Sequence, residues 1–529
     1  MKKVIALFSV LVLLFSLGGC RSNADVSSKP QQTEEVKDSK KYKSTLTLLY
    51  SAADTFNPYD AKTETNRQLC KLLYEPLVKT DNNFKVHYSI ASSVKIDKDV
   101  CTVKLKNVKF SDASRLTASD VVYSYKLAKK SSTSYKNKLY GVDSVEAKDD
   151  STVIFNLKKS DPYFANVLDF PIIKAKSEKR KDSDSVIFPP IGAGRYKVNE
   201  DNNCLLQNEN YHGKKGSIKT VNLINAPDNE SISHFVEIGA TDIYYSDISD
   251  GTILRMSGTK TNINLNNLVY IGINHKNKKL AVNELRQAMS SGLNREAVCK
   301  DAYYNNALAA TGFFNPLWEE TKSLQNIQIT PNSQITVENL EKIGYNELDK
   351  DGIRRKSNSA LRFSLLVNKE NSARVAAAKL ISAQLKEYGI GITVVKASYK
   401  DYKKRLKSGD FDLYLGEVKI TENMDFSSLV LSGGSAAYGI KSSKDEKEDD
   451  QEEKSKEKET FDCAKVIKDF YKGKNSISDV AVTLQSDMPI IPVCYRTGVL
   501  FCNENIENVN MSSMSDIYFS IESYKIKLD

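Results

Sequence analysis

The chain has 529 residues, and its 40% hydrophobic and 27% charged content is typical of a globular protein with two or three domains. Its 76 basic and 67 acidic residues leave a formal charge of +9, and no basic run is interleaved with aromatic residues, which excludes a nucleic-acid groove. Beyond the N-terminal segment, no apolar stretch approaches the roughly 20 residues of a membrane-spanning helix, so the body of the chain is predicted to be water-soluble.

The N-terminus carries the pattern of a secretion signal. Lys2 and Lys3 precede an apolar run over residues 4–17, and small residues then lead to Cys20. The segment 17–20 (LGGC) resembles the lipobox of bacterial lipoproteins, in which the cysteine is acylated and becomes the new N-terminus. We therefore predict a signal peptide over residues 1–19 and attachment to membrane lipid through Cys20. The alternative is a plain signal peptide followed by an incidental cysteine.

The segment after the signal is polar and predicts a tether. Residues 20–43 are rich in Ser, Lys, Gln, Glu and Asp, which is typical of a flexible linker. The expected location is the extracytoplasmic face of the cell membrane. High usage of Lys, Asn and Ser favours a Gram-positive surface.

The first half of the body predicts strands with two helices. Thr117, followed three residues later by Asp120, predicts a capping box at a helix start. Gly192 and Gly194 are typical of residues that form a turn before a strand. The predicted elements are a strand at 44–50, a helix at 66–73, a hairpin at 94–106 with its turn at 97–99, the helix that begins at Thr117, and strands at 153–157 and 196–198.

The second half predicts a βαβ unit. A strand at 361–367, a helix at 372–388 and a strand at 391–397 follow one another, so the two strands are expected to be parallel. Upstream, a short strand at 268–273 precedes a helix at 283–292. The acid-rich segment 442–459 predicts a solvated loop or an exposed helix start.

Cysteine and histidine spacing does not favour a metal site. None of the eight cysteines forms a Cys-x-x-Cys pair, and the four histidines are far apart. Lipidation of Cys20 would leave seven cysteines, so at least one thiol stays unpaired. We expect no metal ion and no cofactor, and scattered free thiols fit a reducing habitat.

Several short sequence words occur in the order of a known family. Residues 106–112 (KNVKFSD) and 116–125 (LTASDVVYSY) closely resemble the signature of the family 5 extracellular solute-binding proteins. Ala113 stands where that family usually has glycine, so we expect a differently shaped turn. Further words of the same family, in the same order, are 73–77 (LYEPL), 190–196 (PIGAGRY), 208–211 (NENY), 273–274 (IN), 285–288 (LRQA), 294–296 (NRE), 411–417 (FDLYLGE) and 488–492 (MPIIP).

The resemblance implies an α/β fold of the two-lobed periplasmic-binding-protein type (type II, cluster C) with a third, inserted domain. On this basis we predict lobe I from residues 44–87, 190–268 and 490–529. The inserted domain would comprise residues 88–189, and lobe II residues 269–489. Two lobes that close at a hinge can bury a solute from water.

The resemblance also implies where a ligand binds. The family's Gly-Trp-x-x-Asp segment, whose aspartate holds a peptide ammonium, maps onto residues 416–420 (GEVKI), so Glu417 replaces the tryptophan and Ile420 the aspartate. Either Glu417 or Asp425 supplies the charge, or the ligand has no free amino terminus. Trp318, near Phe313 and Phe314, is either a core residue or a stacking platform. The candidate ligand-binding residues are Tyr74, Glu75, Tyr270, Asn274, Trp318, Gly416, Glu417, Val418 and Tyr438.

The resulting functional hypothesis is a lipid-anchored, monomeric substrate-binding protein that captures peptides or a related small solute and delivers them to an ABC permease. A sensory lipoprotein that binds a peptide is the second hypothesis, because it needs the same cleft. An extracytoplasmic hydrolase is the third. The chain has no Gly-x-Ser-x-Gly motif, and the Ser-x-x-Lys spacing of Ser92 and Lys95 has no supporting motif. We therefore expect no enzyme activity.

Overall fold

The computed structural model describes residues 42–181, 183, 187–248, 256–440 and 463–528. The predicted signal peptide, Cys20, the tether before residue 42 and the acid-rich segment 442–459 lie outside the described residues. Within the described ranges, no helix is both long and apolar enough to span a membrane.

Strands predominate in the first part of the chain. The elements up to residue 198 are strands β1 (Tyr42–Lys43), β2 (Thr45–Tyr50), β3 (Val78–Thr80), β4 (Val86–Tyr88), β5 (Ala91–Asp97), β6 (Val100–Leu105), β7 (Val142–Asp149), β8 (Thr152–Leu157) and β9 (Tyr196–Val198), helices α1 (Glu64–Leu73), α2 (Ala118–Lys130) and α3 (Tyr135–Lys138), and 3₁₀ turns at Phe164–Val167 and Ser177–Lys179.

The remaining elements alternate between strands and helices. The strands are β10 (Cys204–Gln207), β11 (Thr220–Asn225), β12 (Ile243–Ser246), β13 (Thr259–Ile273), β14 (Ala307–Ala309), β15 (Glu347–Leu348), β16 (Arg354–Lys356), β17 (Ser359–Ala360), β18 (Arg362–Asn368), β19 (Gly391–Ala397), β20 (Leu413–Lys419), β21 (Ile490–Cys502), β22 (Ile506–Glu507) and β23 (Lys525–Lys527). The helices are α4 (Asn229–Glu237), α5 (Asn283–Ser291), α6 (Arg295–Tyr303), α7 (Ser333–Lys342), α8 (Ser372–Glu387), α9 (Tyr399–Ser408), α10 (Ser427–Val430), α11 (Cys463–Phe470) and α12 (Ile477–Asp487), with 3₁₀ turns at Glu319–Ile327 and Ile521–Ser523.

Three larger sheets organise the described chain. One has the order β2-β11-β10-β9, the second is the antiparallel sheet β5-β6-β8-β7, and the third has the order β12-β21-β13-β20-β18-β19 with β14 paired to β21. The predicted hairpin is β5 and β6, and the predicted βαβ unit is β18, α8 and β19, whose strands are parallel. Both predictions are confirmed.

Local signals mark the helix start that was predicted at Thr117. The Asp120 carboxylate accepts hydrogen bonds from the Thr117 N–H and hydroxyl, both at 2.9 Å. Helix α2 begins at Ala118, the residue after Thr117. The differently shaped turn at Ala113 stays a prediction. Ala113 has φ of +67°, a left-handed backbone conformation that normally favours glycine.

Two large hydrophobic cores meet within two long strands. Leu265 packs in the core that contains Leu46 and Phe155, whereas Leu268 packs in the core that contains Leu365 and Leu413. Along β21 the same change occurs between Tyr495 and Leu500. The predicted short strand at 268–273 is therefore the end of the longer β13. Its Asn-rich first part was missed because pairing with β21, rather than strand propensity, stabilises it.

Gly194 is required by a close approach of two backbones. A Cβ at this position would lie 2.3 Å from the carbonyl carbon of Leu73 and 2.4 Å from the carbonyl oxygen of Leu72, at the end of α1. We expect Gly194→Ala to lower the free energy of unfolding by about 3 kcal/mol, because backbone atoms cannot rotate away. Chemical denaturation measures the loss. Gly141→Ala is the control, since its Cβ would meet nothing within 4 Å. An equal loss in both variants would contradict this explanation.

Candidate functional site

A cavity of about 330 Å³ is lined by residues of the segments predicted as lobe I, the inserted domain and lobe II. Its walls come from α1, from α3 and the segment before it, from β13, from the end of β20, and from the C-terminal segment 514–516. Cavities of this size hold small ligands. The charged residues that line it are Glu64, Arg67, Lys71, Lys79, Lys138, Asp169, Asp247, Lys419, Glu422 and Asp516.

Lys138 joins two carboxylates across the cavity. Its Nζ lies 2.7 Å from Oδ2 of Asp169 and 3.0 Å from Oε2 of Glu422, and all three side chains are buried. Burial alone would lower the pKa of Lys138, but the two carboxylates raise it above its ordinary value. Lys138 and Asp169 fall within the predicted inserted domain and Glu422 within the predicted lobe II, so an ammonium of the protein connects segments that are distant in the sequence.

A second buried charge cluster includes two residues of the cavity wall, Lys79 and Asp516. Oδ2 of Asp516 lies 2.5 Å from NH2 of Arg195 and 3.0 Å from Nζ of Lys79. Lys79 also lies 2.9 Å from Glu75, which accepts a further hydrogen bond from Ser89. Burial would raise the pKa of Asp516, but Arg195 and Lys79 hold it below its ordinary value. This cluster attaches the C-terminal segment to lobe I.

Several buried polar atoms of the cavity wall lack a hydrogen-bond partner within the described chain. They are Oε1 of Gln68, Oδ1 of Asp169, the hydroxyl of Tyr245 and Oγ of Ser515. A buried polar group without a partner is costly, so such groups call for water or a ligand. The cavity wall therefore presents both acceptors and donors to whatever occupies it.

Glu417 bridges two arginines between this cavity and a smaller one. Its Oε1 accepts hydrogen bonds from Nε of Arg496 and Nδ2 of Asn267, each at 2.8 Å, and its Oε2 lies 3.0 Å from NH2 of Arg374. Asn267 lines the larger cavity, and Arg496 lines the smaller one, of about 80 Å³, together with Tyr303 and the N-terminus of α8. Burial would raise the pKa of Glu417, but Arg496 and Arg374 lower it.

The candidate residues of lobe I are both buried. Tyr74 lines the larger cavity, and its hydroxyl donates to the carbonyl oxygen of Phe56 at 2.8 Å. Glu75 does not line the cavity and belongs to the charge cluster of Asp516.

The candidates of β13 and β20 are brought together as a packed aromatic layer. The Tyr270 hydroxyl lies 3.2 Å from that of Tyr414, and a Cβ on Gly416 would meet the Tyr270 ring at 2.8 Å. The ring of Tyr438 packs edge-on against Tyr414, with centroids 6.2 Å apart. Val418 is half-buried in β20, one residue before Lys419 of the cavity wall.

Other candidates lie away from the cavity. The Asn274 side chain donates to the carbonyl oxygens of Gly409 and Phe411. Trp318 is buried against Phe314 and against Tyr163 of the inserted domain, with ring centroids 4.9 Å apart for the second pair. Asp425 pairs with Lys159 of the inserted domain at 3.2 Å.

The charges that line the cavity were mostly missed from sequence. Glu422 lies two residues beyond Ile420, so the family alignment offered a signal for it, and Ile420 itself is buried. Lys71, Lys138 and Asp169 lie in segments without a recognisable word, and no local signal identifies them. Among the described residues, no group of three or more His, Cys, Asp and Glu is placed to bind a metal ion.

Comparison with known proteins agrees with this architecture. The family model of the bacterial extracellular solute-binding proteins, family 5, matches residues 85–438. The oligopeptide-binding protein AppA of Bacillus subtilis is 28% identical over 422 residues, which cover 74% of this chain and 76% of AppA.

Solved structures share the fold at low sequence identity. An ABC transporter substrate-binding protein from Sinorhizobium meliloti has a TM-score of 0.68 at 18% identity, covering 92% of this chain and 100% of that one. NikA of Brucella suis, in complex with Fe(III)-EDTA, has a TM-score of 0.64 at 18% identity, covering 91% and 100%. The fold is the predicted α/β, two-lobed type II fold, and proteins of this family bind solutes rather than catalyse reactions. The chain belongs to family 5 of the bacterial extracellular solute-binding proteins.

Proposed function

We propose that this protein captures peptides or a related small solute in the 330 Å³ cavity and delivers them to an ABC permease while anchored to the membrane through Cys20. The observation that carries the proposal is the cavity itself. It lies between lobe I, the inserted domain and lobe II, and its wall presents unpartnered donors and acceptors. The oligopeptide-binding relative supports a peptide, and the structural likeness to NikA with Fe(III)-EDTA keeps other small solutes within the proposal.

The two cavities support a ligand that is longer than one residue. The Glu417 carboxylate connects Asn267, which lines the larger cavity, with Arg496, which lines the smaller one. An extended ligand could contact Asn267 in one cavity and the N-terminus of α8 in the other. Of the predicted ligand-binding residues, Tyr74 and Glu417 are the two that this proposal uses directly.

The long strands β13 and β21 support a hinge between the lobes. Each contributes residues to both hydrophobic cores, and β13 has an irregular register between Asn264 and Asn267, next to the cavity. Ligand contacts made on both sides of such a hinge favour the closed state. We retain the predicted domain limits as part of this proposal.

Native mass spectrometry of the whole protein, extracted from its host membrane in detergent, tests the proposal. We expect a protein mass that includes an acylated Cys20 and a ladder of added peptide masses. A single added mass that is not a peptide would narrow the proposal to a dedicated small solute. A mass that fits an unacylated protein with its N-terminus at another residue would overturn the lipid anchor at Cys20. Enzymatic turnover of a retained ligand would overturn the assignment as a binding protein.

Deletion of the gene separates transport from sensing. We expect a deletion strain to lose uptake of the retained solute and to regain it when the full chain is restored. If uptake is unchanged while a response to the solute is lost, the protein is a sensory lipoprotein rather than an importer subunit.

A further inference from the structure

Lys71 differs from the other cations of the 330 Å³ cavity. Arg67, Lys79, Lys138 and Lys419 each lie within 4.0 Å of a carboxylate. Within the described ranges, Lys71 has no carboxylate at that distance. Its Nζ donates to the carbonyl oxygen of Met514, a neutral acceptor. In the part of the chain that the structure describes, Lys71 is therefore the one cation of the cavity wall without a carboxylate within 4.0 Å.

The acids around Lys71 are engaged elsewhere. Glu64 of α1 pairs with Arg67, Asp516 of the C-terminal segment pairs with Arg195 and Lys79, and Asp169 of the inserted domain pairs with Lys138. Burial lowers the pKa of Lys71 to about 8, although Glu64, Asp516 and Asp169 oppose the shift and Lys138 adds to it. A bound anion would raise the pKa of Lys71 again and so favour its protonated, charged form.

Two hydroxyl groups offer further donors in the same cavity. The Tyr245 side chain is 5% exposed, and its hydroxyl has no hydrogen-bond partner among the described residues. The same holds for Oγ of Ser515, which adjoins Met514 in the chain. A carboxylate can accept hydrogen bonds from an ammonium group and from hydroxyl groups such as these two.

We propose that Lys71, with the hydroxyls of Tyr245 and Ser515, forms a subsite for a carboxylate of the bound solute. This inference rests on the proposed function, because it assigns a role within the same cavity. The acidic pair Asp169 and Glu422 does not call for a cationic group of the solute, because the Lys138 ammonium already pairs with both carboxylates. The cavity is therefore selective for an anionic group near Lys71.

The subsite has a defined pH dependence. A carboxylate binds the protonated form of Lys71 and raises its pKa, so affinity is constant with pH below about 8 and falls as the pH rises above it. A solute without a carboxylate would lack this contribution of Lys71, so the fall is measured as the difference between the free-acid and the amidated peptides, whose α-amino groups titrate in the same range. Lys71→Met would abolish it, because no proton is gained on binding.

The test compares three probes on the full-length, detergent-extracted protein after its retained solute has been removed. The probes are a pool of short peptides with free carboxyl termini, the same pool amidated at the carboxyl terminus, and a pool of aliphatic dicarboxylic acids. Calorimetry at pH 7 and pH 9 gives the affinities. We expect the free-acid peptides to bind at least about tenfold more tightly than the amides at pH 7, and less tightly at pH 9 than at pH 7.

Three variants distinguish the subsite from general damage. Lys71→Met is expected to bind acids and amides within about twofold of each other, and Lys71→Arg to keep most of the preference. Lys62→Met is the matched control, because Lys62 is an exposed lysine just before the same helix and is not among the residues that line the cavity. It should keep the preference. Melting temperatures establish which variants are folded. If Lys71→Met does not fold, the Lys71→Arg variant is used for the test instead.

Each outcome bears on a different conclusion. A preference for acids that survives Lys71→Met, or a wild type that binds acids and amides equally, overturns the subsite and leaves the proposed function intact. Binding of dicarboxylic acids but not of peptides, if it depends on Lys71, supports the subsite and overturns the peptide assignment. A wild type that binds none of the three probes overturns the subsite and the peptide assignment together, and leaves capture of another small solute to the native mass measurement.

Discussion

Glu417→Gln is expected to lower the free energy of unfolding by about 4 kcal/mol, within the range for breaking a buried ion pair. The Arg374 and Arg496 guanidiniums have no other carboxylate within 4 Å among the described residues. The side chain of Arg496 is 5% exposed, so water cannot replace the lost charge. Glutamine keeps the shape and the hydrogen bond from Asn267 but removes the charge that both arginines need.

Chemical denaturation followed by the fluorescence of Trp318, the single tryptophan, measures this loss. The folded-state pKa of Glu417 is lowered, so its stabilising contribution is present above the ordinary pKa and is lost as the pH falls through the folded-state value. The Gln variant should lose this part of the acid sensitivity. Glu284→Gln is the control, because its partner Lys342 is 68% exposed, and we expect less than about 1 kcal/mol there. Equal losses of stability in the two variants would contradict the stabilising role assigned to the buried charge of Glu417.

Asp516→Asn is expected to lower the free energy of unfolding by about 3 kcal/mol. It removes the carboxylate that lies 2.5 Å from Arg195 and 3.0 Å from Lys79, both buried. We expect less than for Glu417, because Glu75 remains 2.9 Å from Lys79 and Glu522 remains 3.6 Å from Arg195. The C-terminal segment should loosen first, since Asp516 attaches it to lobe I.

Hydrogen exchange provides the local measurement for this variant. Amides around residues 514–518 should exchange faster in Asp516→Asn, and chemical denaturation should give the global loss. The low pKa of Asp516 means that the wild type loses this stabilisation as the pH falls below the ordinary range of an aspartate, whereas the variant does not. Asp150→Asn is the control, because Asp150 and its partner Arg115 are exposed and 3.8 Å apart. Unchanged exchange at 514–518 would contradict the assigned role.

Local sequence patterns predicted the elements that depend on nearby residues. The capping box at Thr117, the hairpin of β5 and β6 and the parallel strands β18 and β19 follow from spacing over a few residues. The order of the family words along the chain then predicted the fold.

Pairing between distant residues could not be predicted in the same way. The polar first part of β13 is a strand because β21 pairs with it over more than 200 intervening positions. Glu417 was predicted as a ligand residue, and its position between Arg374 and Arg496 depends on the packing of α8 and β21 around β20. A carboxylate in a sequence does not indicate which cation will reach it.

The sequence by itself therefore determined the class of protein, the two-lobed fold and the local elements, because these depend on periodicity, caps and the order of short words. Only the tertiary structure decided the charge pattern of the cavity. Lys71, Lys138, Glu422 and Asp516 come from four separate segments. Which of them pair, and which cation is left without a counter-ion, depends on distances of 3–4 Å that the packing of the lobes sets.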